Sequence, residues 1–225
     1  MNRNIGIIMP AYFSVRFELS KGPTAIHDIY DALVRSGLSF KNGYWGCENE
    51  TFEEIKRWNQ EKLDADFELG YTEHHSHDFK QMQFELDDYS EVRVFVLNIK
   101  TEATFSILLI IPEEDFLEYE KNGEKYTVIR LHEKMERIIE FAKRVWIDSD
   151  VLTIQTEWEC SEDRPTKHAD LDDSCPPQTE PFSIIPRNKF STKWNFANEE
   201  IDRDGILLVN DKAWYYEAWY CIWEK

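Results

Sequence analysis

The residues best suited to chemistry in this sequence lie in the hexapeptide 73–78, which reads Glu-His-His-Ser-His-Asp. Imidazole and carboxylate groups are common protein ligands of Zn²⁺ and other divalent metals. Metal ligands must converge on one point, whereas neighbouring side chains in an extended segment diverge. We therefore expect a polar loop without a metal or other cofactor, and keep a metal-dependent hydrolase as the alternative. Its candidate ligands are His74, His75, His77 and Asp78.

Aromatic residues form a second group with binding chemistry. Six Trp and Tyr residues fall between positions 214 and 223, and Trp45 lies in an aromatic loop at 44–46. Burial in the core is favoured for the C-terminal group because aromatics dominate cores, and protein contact comes next because Trp and Tyr lead binding hot spots. Sugar binding by stacked rings is disfavoured because no export signal is recognisable. The candidate partner-binding aromatics are Trp45, Trp214 and Trp219.

A third candidate surface is acidic. Residues 159–181 lose the hydrophobic pattern and hold four prolines together with Asp170, Asp172 and Asp173. This composition predicts a long surface loop or linker. We expect its three aspartates to take part in partner binding.

Charge sets the broad class of partner. The chain has 44 acidic and 26 basic residues, a formal charge of −18, so nucleic acid and anionic membranes would be repelled. Hydrophobic residues make up 42% of the chain, enough for a sizeable core. No stretch reaches the roughly 20 apolar residues of a membrane-spanning helix. We expect a globular cytoplasmic protein that binds another protein.

Motifs for catalysis are missing. The four cysteines are widely spaced, without a CxxC pair, which argues against a zinc knuckle or a redox centre. A disulfide between Cys160 and Cys175 is conceivable, but reduced thiols are expected in the cytosol. The sequence also lacks a GxSxG elbow and a glycine-rich phosphate loop. We assign no catalytic residue and expect that the protein is not an enzyme.

Hydrophobic periodicity predicts three helices. The first follows 22–24 and stops at Gly37, and the second begins with a capping box formed by Thr51 and Glu54. The third and longest is predicted over 127–147, where apolar residues trace one stripe. Acidic residues at 113–115 also favour the first turn of a helix, directly after a strand that ends at Pro112.

Period-two patterns and apolar runs predict the strands. Residues 5–19 are expected to form a buried strand, and 92–100 with 104–111 an antiparallel hairpin joined by 101–103. Residues 104–111 are almost wholly apolar, which is typical of a central strand. At the C-terminus, 206–209 and 213–223 are predicted to pair as a hairpin through the turn 210–212. Further strands are predicted at 67–71, 82–86, 151–158 and 182–185.

These elements predict an α+β protein with a mainly antiparallel sheet and two or three helices packed on one face. Residues 1–158 are expected to form the core domain. The segment 159–181 is the polar loop or linker, and 182–225 adds strands and the aromatic hairpin to the same domain.

A resemblance in layout adds a functional expectation. Its features are the segment Ala-Tyr-Phe at 11–13, the Trp45 loop, the strand over 105–112 and the helix ending at Trp146. Over residues 1–158 this layout resembles immunity proteins of bacterial polymorphic toxin systems. The resemblance implies a stoichiometric binding protein that neutralises a toxin domain by occlusion. Many such toxins are basic, and an acidic partner gains association rate by electrostatic steering.

Overall fold

The computed structural model describes residues 11–68, 78–122, 125–159, 161 and 165–212. Three α-helices lie in these ranges: α1 Ala25–Arg35, α2 Phe52–Asp64 and α3 His132–Asp148. The strands are β1 Tyr12–Ser20, β2 Ser39–Tyr44, β3 Gln81–Glu85, β4 Val92–Asn98, β5 Thr104–Pro112, β6 Leu117–Asn122, β7 Lys125–Arg130, β8 Thr153–Trp158, β9 Phe182–Pro186, β10 Ala197–Ile201 and β11 Gly205–Val209.

One antiparallel sheet organises the described part of the chain. Its nine strands run in the order β10-β11-β9-β8-β1-β5-β4-β3-β2, so β10 and β2 are the outer strands. β6 and β7 form a separate two-stranded sheet. The three helices pack against the large sheet, and the predicted α+β class is confirmed.

The core lies between the helices and one face of the sheet. Alternation along β1 directs Phe13, Val15 and Phe17 into it, and all three are fully buried. Apolar stripes of α1 and α3 cover them, represented by Leu33 and Phe141. The helices cover only this face of the sheet. The polar side chains of β1 alternate with the buried ones and point to the opposite face.

The end of α1 and the start of α2 lie where the sequence predicts them. The Thr51 side chain accepts a hydrogen bond from the Glu54 amide, and the Glu54 carboxylate accepts one from the Thr51 amide. This capping box satisfies two N–H groups at the start of α2. Gly37 follows α1 with a φ of +128°, which an L side chain rarely adopts. The two predicted helices are therefore confirmed.

The predicted hairpin of β4 and β5 is also confirmed. Val96 pairs with Ile107 and Asn98 with Phe105. β5 also pairs with β1 along its other edge. It is buried along nearly its whole length, as expected for a central strand.

The third helix starts later than predicted. Residues 125–130 form β7, which pairs with β6, and the helix begins only at His132. Val128 and Leu131 fit the apolar stripe because three- and four-residue spacings continue through them. Val128 lies outside the helix because β7 pairs with β6, a strand that the sequence pattern did not predict. Leu131 also precedes the helix, and its amide donates a hydrogen bond to the Phe116 carbonyl.

The acidic residues after Pro112 form a three-residue 3₁₀ turn, Glu113–Asp115, and no longer helix follows. Glu113 in this turn is 1% exposed. Asp115 is also buried and accepts hydrogen bonds from the Ser90 amide and hydroxyl, at 2.9 and 2.8 Å. The turn therefore buries two acidic side chains at the end of the sheet.

The predicted pairing of 206–209 with 213–223 is wrong. β11 lies between β10 and β9, so both of its edges already carry main-chain hydrogen bonds. Short turns favour pairing of neighbouring segments, and here that preference is met by β10 and β11. Residues 213–225 themselves lie outside the described residues.

The segment 159–181 was predicted as a surface loop, and parts of it are buried. Leu171, Gln178 and Thr179 are each less than 8% exposed, and Thr179 forms a bridge with Thr156 of β8. Hydrophobic periodicity could not predict this packing, because hydrogen bonds to Gln155 connect the segment to β8.

Some predicted strands fall partly or wholly outside the described residues. Of the strand predicted at 5–19, residues 5–10 lie outside the described residues, and β1 starts at Tyr12. Of the strand predicted at 67–71, residues 69–71 lie outside, and residues 67–68 are not in a strand. No helix in the described ranges is long and apolar enough to cross a membrane.

Candidate functional site

The histidine-rich hexapeptide lies almost entirely outside the described residues, including His74, His75 and His77. Asp78 is described and half-buried: its carbonyl accepts a hydrogen bond from Trp58 Nε1 at 2.8 Å, and its Oδ1 is buried without a partner. Within the described ranges, no three His, Cys, Asp or Glu side chains are grouped to hold a metal ion. The metal-site alternative therefore remains an untested prediction.

Two of the three acidic candidates on 165–181 have local side-chain contacts. Asp170 is exposed at the end of a short 3₁₀ turn. Asp172 accepts hydrogen bonds from the Ser174 hydroxyl and amide, which hold its pKa below the usual range. Asp173 pairs with Lys193, and this contact lowers the pKa of Asp173. The carboxylates of Asp172 and Asp173 stabilise the loop, and the role of all three aspartates in partner binding stays a prediction.

One of the three aromatic candidates lies within the described residues. Trp214 and Trp219 lie outside the described residues. Trp45 is described, and its side chain is 66% exposed in the turn after β2. Cys47 of this turn and Cys175 are free thiols, whereas Cys160 and Cys221 lie outside the described residues.

Sequence reasoning missed a cleft on the sheet face opposite the helices. Arg16 of β1 stands beside Leu108 of β5 and Gln155 of β8, and Glu18 stands beside Ser106 and Thr153. Side chains of paired residues point to the same face of an antiparallel sheet. Four strands, Ser161 and residues 165–167 surround a cleft of about 840 Å³. Its charged lining residues are Arg16, Glu18, Glu68, Glu102, Glu157 and Lys167.

Two ion pairs neutralise part of this lining. Lys167 Nζ lies 2.5 Å from Glu102 Oε1, and Arg16 Nη2 lies 3.6 Å from Glu157 Oε1. The second contact is long, and Arg16 Nε is buried without a hydrogen-bond partner. Burial raises the pKa of Glu157, and the charge of Arg16 offsets only part of that rise.

Two carboxylates of the cleft form no ion pair in the described part of the chain, although Lys167 and His168 interact with Glu18 over a longer distance. Glu18 is 6% exposed, and its Oε2 accepts hydrogen bonds from the His168 amide at 2.8 Å and the Thr153 hydroxyl at 3.2 Å. Glu68 accepts a hydrogen bond from the Lys100 amide at 3.0 Å. Neither Glu18 nor Glu68 forms an ion pair with a lysine or arginine of the described ranges. Neutral donors thus position these two carboxylates, which can accept a charge-assisted hydrogen bond from an incoming cation.

Gln155 fixes the wall of the cleft. Its Oε1 accepts hydrogen bonds from the Thr166 and Gln178 amides at 3.0 and 2.7 Å, and its Nε2 donates to the Thr166 carbonyl at 2.6 Å. The side chain is 1% exposed, so these main-chain groups have little access to water. One buried amide thus ties the segment 165–179 to β8.

Replacing Gln155 by leucine is expected to reduce stability by about 2 kcal/mol, because buried main-chain groups lose their partners. Hydrogen exchange should accelerate at the Thr166 and Gln178 amides while amides of β1 stay protected. Gln83→Leu is the control, since the Gln83 side chain makes no hydrogen bond within the described ranges. Unchanged exchange at both amides would contradict the assigned role of Gln155.

Comparisons of the chain with protein-family models, with curated proteins and with solved structures found no match.

Proposed function

We propose that this protein is a stoichiometric binding protein for a basic protein domain, which it contacts through the cleft. The main support is the buried carboxylate of Glu18, which forms no ion pair within the described ranges and lines a cleft of about 840 Å³ in a chain of charge −18. A lysine or arginine entering the cleft would gain a charge-assisted hydrogen bond with Glu18 or Glu68. The long-range field of the acidic chain would also speed the encounter.

The specific role that we propose is that of an immunity protein. Such a protein binds a toxin domain in the cytoplasm and neutralises it by covering its functional surface. The layout resemblance of residues 1–158 and the acid excess both support this role. Nucleic acid and anionic membranes are disfavoured as partners, because the same acid excess repels their phosphates.

The test starts from the gene neighbourhood. We expect a neighbouring gene to encode a secreted protein with a basic, toxin-like C-terminal domain. That domain should co-purify with this protein in a one-to-one complex, and co-expression should rescue cells from its toxicity. A neighbouring toxin domain that neither binds nor is neutralised would contradict the immunity role.

The cleft's part in binding is tested by Glu18→Gln/Glu68→Gln. Removing two unpaired negative charges is expected to weaken affinity for the basic domain by about tenfold, mainly through slower association at low salt. The control, Glu114→Gln/Glu136→Gln, removes two exposed carboxylates that do not line the cleft. Surface plasmon resonance at two ionic strengths measures both variants. Equal losses in the two would refute a specific role for the cleft.

A further inference from the structure

Trp45 has an unusual conformation for an exposed aromatic residue. Its φ is +56°, in the left-handed region that bulky side chains rarely occupy, and the following Gly46 has a φ of +94°. The side chain is 66% exposed, so core packing does not account for this backbone geometry. Backbone strain of this kind persists only when the surroundings enforce it, and it concentrates at functional sites.

Hydrogen bonds enforce the conformation of the turn. The Gly46 amide donates to Glu48 Oε1 at 2.9 Å, and the Cys47 thiol donates to the carbonyls of Tyr44 and Gln81 at 3.2 and 3.4 Å. The Glu50 carboxylate pairs with Lys80 at 2.5 Å. The turn is thereby tied to β3 and to the start of α2. A backbone held in such a turn loses little conformational entropy when a partner binds.

The surroundings of Trp45 favour a cation. Glu48 lies three residues further along the same turn and is exposed, and the Gly46 amide lowers the pKa of its carboxyl group. Glu48 also makes no ion pair with a basic residue of the described ranges. The face of a tryptophan ring attracts ammonium and guanidinium groups, and a nearby carboxylate adds to that attraction.

Trp45 and the cleft lie at the same end of the sheet. The strand register places the end of β2 beside the start of β3, and the end of β4 beside the start of β5. Ile99, which is 51% exposed and lines the cleft, follows β4 at this end. Three strand spacings separate β2 from β5, about 15 Å in total, which is well within the width of a standard protein interface.

We propose that Trp45 is the anchor residue for the basic protein partner, whose lysine or arginine side chain packs on the indole ring beside Glu48. This inference rests on the proposed function for the basic character of the partner. It adds a second contact point, outside the cleft, at an exposed aromatic residue. Trp residues dominate binding energy at interfaces when they are rigid and central.

The experiment uses displayed peptide libraries selected on the full-length protein. One library is rich in lysine and arginine, and a matched library carries glutamine at those positions. Affinities of the selected peptides are then measured for wild type, for Trp45→Gly, for the cleft variant Glu18→Gln/Glu68→Gln, and for Ile147→Ala. Ile147 is the control because it is 50% exposed, like Trp45, but lies on α3.

We expect basic peptides to be selected and to bind Trp45→Gly at least tenfold more weakly than wild type, while Ile147→Ala binds normally. Trp45→Gly should also unfold at a higher urea concentration than wild type, because glycine adopts the left-handed region without strain. A loss confined to the cleft variant would overturn the role of Trp45 and leave the proposed function standing. A loss confined to Trp45→Gly would overturn the cleft instead.

Two further outcomes would count against the inference. Glutamine-library peptides that depend on Trp45 as strongly as basic peptides would overturn the cation contact. A basic library that yields no binder, or binders indifferent to both variants, would overturn the inference together with the proposed function.

Discussion

At about pH 8, the variant Glu113→Gln is expected to be more stable than wild type by about 3 kcal/mol. The Glu113 side chain is 1% exposed, and neither of its carboxyl oxygens has a hydrogen-bond partner. Burial, reinforced by the charge of Glu159, raises the pKa of Glu113 to about 7. The Glu159 amide offsets little of this rise because it is committed to the Tyr12 carbonyl at 2.9 Å.

The effect has a definite direction with pH. In the unfolded chain this carboxyl group ionises near pH 4.3, so between about pH 4.3 and 7 the folded state retains a proton that the unfolded state has released. Wild-type stability therefore falls as the pH rises through this window, and the deficit persists above it. Glutamine cannot ionise, so the contribution of this position should disappear in the variant.

Urea unfolding from about pH 5 to pH 8 measures the difference between the two proteins. Glu114→Gln is the matched control, because Glu114 is the next residue and is exposed. The gap between Glu113→Gln and wild type should open as the pH rises, whereas Glu114→Gln should follow wild type. Parallel curves for Glu113→Gln and wild type would show that Glu113 is not held protonated.

Gly43→Ala is expected to destabilise the protein by about 3 kcal/mol. A Cβ atom at Gly43 would lie 2.0 Å from the Cys47 carbonyl oxygen and 2.8 Å from its Sγ. The closest obstacle is main chain, which cannot rotate away as a flexible side chain would. Alanine must therefore push the Trp45 turn away from β2, and the hydrogen bonds of the Cys47 thiol should break.

Gly22→Ala provides the comparison for this effect. No atom lies within 4 Å of a Cβ built at Gly22, so alanine should be tolerated there or slightly stabilising. Thermal and urea unfolding of the two variants measure the contrast. If Gly43→Ala unfolds at the wild-type midpoint, the close approach of the Cys47 carbonyl to β2 is not a real constraint.

Elements with strong local patterns were predictable from the sequence. The capping box of α2 needs only Thr51 and Glu54, and the hairpin of β4 and β5 needs two apolar runs with a short polar link. Prediction failed where distant pairing decided the structure. Residues 127–130, predicted as the start of α3, pair with β6 instead, and 206–209 have partners on both sides that local turn chemistry could not reveal.

The cleft was hidden for the same physical reason. Arg16 and Gln155 are adjacent in the sheet but 139 residues apart in the sequence, and no spacing rule connects them. One indication was available: along β1, polar residues at 14, 16 and 18 alternate with buried apolar ones. Alternation predicts a strand with one polar face, but it does not reveal which other strands contribute to that face.

The two outer strands limit how another chain can attach. β10 is largely exposed and carries Glu199 and Glu200, the second paired with Arg187 at 2.7 Å. β2 has an irregular register between Phe40 and Asn42. Charged side chains and bulges on edge strands oppose the addition of a further strand. Sheet extension, which drives both β-augmentation and fibril growth, is thus discouraged at these two strands, and a partner is directed to the faces and ends of the sheet.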